Sequence, residues 1–171
     1  MNELDQFWSL ELSRLIENAR RSGRADVADY LELRARNDAI REIGVRWLIE
    51  SLIAISAVSN RSTASVEIVR EEPHRFDIFK ATMAGTRIKF QQGVRCLTVE
   101  AGWTRTPGDG FMRGGALAAA RIKHLGMPKM GVELGLLMHG DDPVWHEFFE
   151  GKPVRAFTLE HLDSHFNTFL G

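Results

Sequence analysis

The hydrophobic spacing of this chain changes once, shortly after residue 60, and that change limits the fold more than any other feature. Before it, Leu4, Phe7, Trp8, Leu12, Leu15, Ile16 and Ala19 recur at three- and four-residue steps. That spacing places them on one helical stripe. After it, Val66 and Ile68, Phe76 and Ile78, and Ile88 and Phe90 alternate with polar neighbours. Alternation sends the apolar members to one face of a sheet. Helices first and strands afterwards predict an α+β fold, with N-terminal helices packed on a mainly antiparallel sheet.

Local punctuation sets the expected elements. Ser22-Gly23 after Arg20-Arg21 is a stop for the first helix, with the basic pair at its negative end. A second helix is expected over residues 24–36, and Asn37 is a candidate N-cap for a third over 38–58. Residues 47–55 are apolar on most sides, as in a buried helix. Glu72-Pro73-His74, Ala84-Gly85-Thr86 and Gln91-Gln92-Gly93 are turn candidates, so residues 65–101 read as a meander of four short strands. A glycine-rich loop follows over 102–115, near the length at which a structureless loop becomes unusual. Beyond it, a helix is expected over 116–125, ending at Gly126 with Pro128 just past it. Met130, Val132, Leu134, Leu136 and Met138 alternate as a strand. Asp142-Pro143 reads as the start of a short helix through 149. Residues 154–157 form a last strand, and Thr158 caps a terminal helix carrying Leu159, Leu162, Phe166 and Phe169. The C-terminal portion thus reads as helix-strand-helix-strand-helix. A chain of 171 residues with no repeat or linker is expected to form a single domain.

Composition excludes some classes. With 44% hydrophobic and 26% charged residues, the chain suits a globular protein rather than a disordered one. The one cysteine, Cys96, has no internal disulfide partner, and its apolar run reads as core rather than as a nucleophile. The acidic opening Met1-Asn2-Glu3-Leu4-Asp5 lacks a signal-peptide pattern. No apolar run reaches the roughly 20 residues a membrane helix needs. A reducing, cytoplasmic setting without a membrane partner is the expectation. Charge is uneven: residues 1–60 sum to −2, 61–125 to +5 and 126–171 to −4. Arginine outnumbers lysine 17 to 5, which suits phosphate contacts. The pI of about 6.6 makes nucleic acid a lesser candidate.

The loop 102–115 carries the most chemistry. Its glycines let a backbone approach a ligand closely, and a helix beginning near Gly114 and Gly115 would offer free amides to an anion. Arg105 and Arg113 can add charged contacts, and Trp103 can stack on a ring. Trp103, Arg105, Arg113, Gly114 and Gly115 are therefore the candidate ligand-binding residues. No Gly-Lys-Ser/Thr or Gly-x-Gly-x-x-Gly signature is present, which argues against a P-loop or dinucleotide fold.

Arg113-Gly114-Gly115-Ala116-Leu117-Ala118 resembles the Arg-x-x-Gly-x-Gly/Ala turn of the GNAT acyltransferases, with Ala116 in place of a glycine. The likeness covers roughly residues 95–151. It implies a turn whose amides hold the pyrophosphate of acyl-CoA, followed by helix, strand and helix.

Other constellations are weaker. His139, Asp141, Asp142, His146 and Glu147 lie close in sequence, but Asp142 is explained as a cap, so no metal is assigned. His161 and His165 share a helical face without an evident third ligand. Adjacent Glu71 and Glu72 would point to opposite strand faces, so they do not form an acid–base pair. No Gly-x-Ser-x-Gly elbow exists, and no catalytic residue or cofactor is assigned. The leading expectation is a non-catalytic binding or assembly protein with an anion site (phosphate, nucleotide or nucleic acid) at the loop. The alternatives are a GNAT-like acyltransferase and a partner-binding or self-associating protein using Phe7, Trp8, Phe166 and Phe169.

Overall fold

The computed structural model describes residues 3–62 and 65–171. The chain divides into two compact units, Met1–Glu42 and Ile43–Gly171. In the first, helix α1 (Glu3–Arg21) is followed by the opening turns of helix α2 (Ala25–Ser62). Gly23 makes the turn at φ 71°, a left-handed conformation that glycine adopts without cost. Arg20 pairs with Glu32 beside the turn. The expected break at Asn37 is absent, because α2 runs unbroken through it. An asparagine inside a helix costs well under about 1 kcal/mol, and no glycine or proline stands next to it to enforce a stop.

The second unit is a seven-stranded antiparallel sheet in sequence order, with helical cover. Its strands are β1 (Glu67–Ile78), β2 (Ala81–Gln92), β3 (Arg95–Trp103), β4 (Ala119–His124), β5 (Val132–His139), β6 (Asp142–Phe149) and β7 (Lys152–Ala156). Helix α3 (Leu159–Leu170) closes the chain. One sheet face is apolar: Ile88, Val99 and Ile122 form one cross-strand row, and Thr86, Ala101, Ala120 and Leu134 form the next. The later half of α2 covers this face with Val45, Leu48, Ile49, Leu52 and Ser56, all buried. The Trp145 indole donates to the Gly44 carbonyl at 3.0 Å. From α3, Phe166 meets Phe90 edge-on, with centroids 5.5 Å apart. Both outer strands carry a proline, Pro73 in β1 and Pro153 in β7, as edge strands that resist pairing often do.

The helices-then-sheet α+β class stands, but several expected boundaries do not. Residues 119–124 are strand rather than helix, and so are 142–149. The C-terminal portion is therefore four strands and a helix. Alanine-rich β4 is held between β3 and β5 on both sides, and tertiary pairing outweighs a helix propensity worth tenths of a kcal/mol per residue. Asp142 pairs with His139 across a hairpin instead of capping a helix. The four short strands are three long ones. Glu72-Pro73-His74 is a bulge inside β1, and Gly85 lies mid-strand in β2. The real β1–β2 turn is Phe79-Lys80, at φ 56° and 62°, where neither residue type announces a turn.

Candidate functional site

The bulge in β1 organises the polar face of the sheet. Without it, Glu71 and His74, three residues apart, would face opposite ways. With it, Glu71 pairs with Arg87 and His74 with Gly85, so both join one face. On that face Glu71, Arg87, Glu100, Arg121 and Glu133 stand opposite one another across five strands, acid and base alternating.

Glu100 is the centre of this ladder and is only 6% exposed. It accepts from Arg121 Nε at 3.2 Å and Nη2 at 2.8 Å. Its other oxygen lies 2.9 Å from His74 Nε2, and Lys123 Nζ stands at 3.3 Å. Burial alone would push the Glu100 carboxyl up. Hydrogen bonds from Arg121 and His74 and the charges of Arg121 and Lys123 outweigh it and hold the group at about 2. Beyond one end of the ladder, Phe76, Ile78, Ala81, Met83 and Ala119 make a small apolar cluster. Beyond the other runs the row Lys89–Thr98–Lys123.

A groove of about 660 Å³ opens over this row. Its floor includes Lys89, Cys96, Thr98, Arg121 and Lys123, and the β4–β5 connection supplies an apolar wall with Leu125 and Pro128. The volume is that of a small-molecule site. Arg121 is fully engaged with Glu100 and the Asp77 carbonyl. Lys123 keeps half of its side chain exposed. Thr98 pairs with both lysines in register, one on each neighbouring strand, which spaces their backbones about 10 Å apart. An anion placed between their two ammonium groups would offset their mutual repulsion.

The loop residues chosen from sequence are divided between two settings. Trp103 is buried at the end of β3, and the Arg105 guanidinium lies 3.8 Å over its ring. The amides of Arg105 and Thr106 donate to Asp109 Oδ2 at 3.0 and 2.9 Å. Arg75 holds the other Asp109 oxygen at 2.8 Å. The backbone hydrogen bonds from Thr106 and Arg105 keep the Asp109 carboxyl at about 2. The loop's own carboxylate thus satisfies the amides of Arg105 and Thr106. Arg113 and Gly114 instead pack at the β6–β7 turn, against Gly151 and Phe148. The amide of Ala116 donates to Arg113 and that of Leu117 to Leu136. Arg113–Gly115 form a single 3-10 turn, and the chain continues into β4 at Ala119 rather than into the expected helix over 116–125. The helix-strand-helix order implied by the acyltransferase resemblance is likewise not found.

Two further clusters differ from expectation. His161 closes a capping box with Thr158, while His165 Nδ1 lies 3.0 Å from Nε2 of His124. Glu147 is held by Arg155 through two 2.8 Å hydrogen bonds. Among the described residues, no three His, Cys, Asp or Glu side chains converge as metal ligands. Burial pushes His124 down, and burial with the neighbouring His124 brings His165 to about 4 from the ordinary 6.5. Glu147 opposes that shift, and His161 and Arg155 reinforce it.

The unfolded chain binds protons on these histidines below pH 6.5, whereas the folded His165 stays neutral until about pH 4. Stability therefore falls as pH drops through that window. His165 retains some contact with water, and screening trims the loss to about 1–2 kcal/mol. Urea unfolding at pH 7, 6 and 5 checks this, and His165→Phe is expected to flatten the dependence.

Sequence reasoning missed Glu100, His74 and His124. Glu100 offered one signal, since Thr98, Glu100 and Gly102 alternate with Leu97, Val99, Ala101 and Trp103. Its partners became visible only with the strand register. No helix among the described residues is long and apolar enough to cross a membrane. No protein-family model, curated protein sequence or solved structure matches this chain.

Proposed function

We propose that the protein binds a small organic anion in the groove over Lys89, Thr98 and Lys123, and that it does so without catalysis. The observation that carries this reading is the register row that sets two lysines on either side of one hydroxyl in a cavity of about 660 Å³. The apolar wall suits a compact carbon body attached to a carboxylate or phosphate. Glu100 neutralises Arg121 beneath the row and also draws the half-exposed Lys123 to 3.3 Å, so that Lys89, with Lys123 beside it, lines the cavity toward the guest.

Binding is favoured over catalysis by the partners of the reactive groups. His74 directs Nε2 to Glu100 and Nδ1 toward Glu71, at 2.9 and 3.7 Å, so neither nitrogen is presented to a substrate. The Cys96 thiol contacts the Thr98 hydroxyl at 3.6 Å rather than a base that would activate it. An unpaired cysteine also suits a reducing, cytoplasmic compartment.

Thermal unfolding with inorganic phosphate, benzoate and phenyl phosphate tests the reading. A probe at a hundred times its dissociation constant is expected to stabilise the wild type by about 2.7 kcal/mol. Lys89→Ala/Lys123→Ala should weaken binding at least about tenfold, the loss of about 1.4 kcal/mol. Arg105→Ala/Arg113→Ala should leave it unchanged. No stabilisation by any of the three probes, or its loss in the loop variant, would refute the groove as the site.

A further inference from the structure

The unit Met1–Glu42 has an inverted arrangement of side chains. Among its described residues, those sealed from water are Ala19 and Ala28, Leu12, Ile16 and Leu31 are half-buried, and several large apolar groups stay outside. Phe7 is 63% exposed and Trp8 58%. Leu10, Leu15, Tyr30 and Leu33 are exposed as well. Phe7, Trp8 and Leu15 fall within one arc of α1 at 100° per residue. The three side chains on this arc expose on the order of 350 Å² of mostly apolar surface, nearly half of the about 800 Å² per partner in a standard protein interface. Segments of about 40 residues rarely build a sufficient core alone, and association is one remedy.

The charges of α1 identify the occupant. Among its described side chains the first half carries the acids Glu3 and Glu11 and no base. Its second half carries Arg14, Arg20 and Arg21 against the single acid Glu17; Arg21 pairs with Glu17 and Arg20 with Glu32 of α2 at exposed positions, and Arg14 adds a further positive charge. A parallel copy would set acid against acid and base against base. An antiparallel copy sets each acidic half on the other's basic half and opposes the two helix dipoles favourably. A twofold axis generates that arrangement from one self-complementary surface. We propose that two copies of this chain associate through the outward face of α1, antiparallel, with Phe7, Trp8 and Leu15 at the centre of the contact.

Sedimentation velocity of the full chain from about 1 to 100 μM reads the result. A dimer is expected toward the upper end of that range. Phe7→Glu/Trp8→Glu should sediment as a monomer throughout with unchanged far-ultraviolet circular dichroism, because both side chains are exposed. Glu3→Arg/Glu11→Arg makes both halves of α1 basic, and Arg14→Glu/Arg21→Glu makes both acidic. Each charge variant alone should be monomeric at concentrations where the wild type is dimeric, and an equimolar mixture should restore the dimer. A monomeric wild type at every concentration, or a dimer that survives Phe7→Glu/Trp8→Glu, would overturn the proposal. Failure of the mixture to dimerise would overturn the charge pairing on which the proposal rests.

Discussion

Glu100→Ala is expected to destabilise the sheet unit by about 3–4 kcal/mol, the cost of removing one member of a buried charge network. Arg121, Lys123 and His74 all converge on this carboxylate, and no neighbouring acid can replace it for all three. Glu71 already holds Arg87. Without Glu100, the Arg121 and Lys123 cations on β4 face a partly buried space with no carboxylate between them, and the Arg121 guanidinium loses two hydrogen bonds. Glu72→Ala is the control. Its partner Arg70 is half exposed, so its loss should cost no more than about 0.5 kcal/mol. Urea midpoints at pH 7 measure both. A cost under about 1 kcal/mol for Glu100→Ala would mean that the ladder is ordinary surface charge.

The second large effect is expected at Gly85. This residue pairs with Gly102 on β3 and with His74 on β1. A β-carbon at Gly85 would overlap the carbonyl oxygen of Ala101, and one at Gly102 would stand 2.5 Å from that of Ala84. The two strands approach at a place where only glycine fits both sides. The bare backbone of Gly85 also lets the His74 side chain, on β1, reach Glu100 on β3. Gly85→Ala must push β3 away and strain the His74–Glu100 contact at the same time. The expected cost is about 3 kcal/mol, at the upper end for overpacking a well-filled site. Gly93→Ala is the contrast, because a β-carbon there meets nothing within 4 Å; only its left-handed backbone, φ 58°, adds strain, worth about 1 kcal/mol. Equal costs at the two glycines would contradict the close approach.

What was legible in the sequence follows from the range of the forces involved. The change from a helical to an alternating pattern reports which side of each element is apolar, and it correctly separated α1 and α2 from the sheet. Thr158 and the apolar spacing after it located α3 for the same local reason. Strand ends were harder to read. The Phe79-Lys80 turn is imposed by the pairing of two 12-residue strands, not by a turn-forming residue. Pro73 read as a chain reversal because the partner that accommodates it as a bulge lies elsewhere in the sequence. Ala116 to Leu125 read as a helix because β-pairing on both sides is invisible in local propensity.

The site was least legible. Glu71, Arg87, Glu100, Arg121 and Glu133 are separated by 12 to 21 residues, and nothing but strand register makes them a row. The glycine-rich loop attracted attention because its composition is local and conspicuous. Yet Asp109, also in plain view, already holds the amides of Arg105 and Thr106. In the basic middle of the chain, Arg87 pairs with Glu71, and Arg121 and Lys123 with Glu100, while Lys89 and Lys123 also line the groove.

The most direct measurement is a map of backbone amide shifts during titration of the full chain with phenyl phosphate. Binding over the lysine row predicts saturable shifts at Lys89, Thr98, Lys123 and Gly126, with Gly114 and Gly115 still. Shifts confined to residues 105–115, or none at millimolar phenyl phosphate, would contradict it.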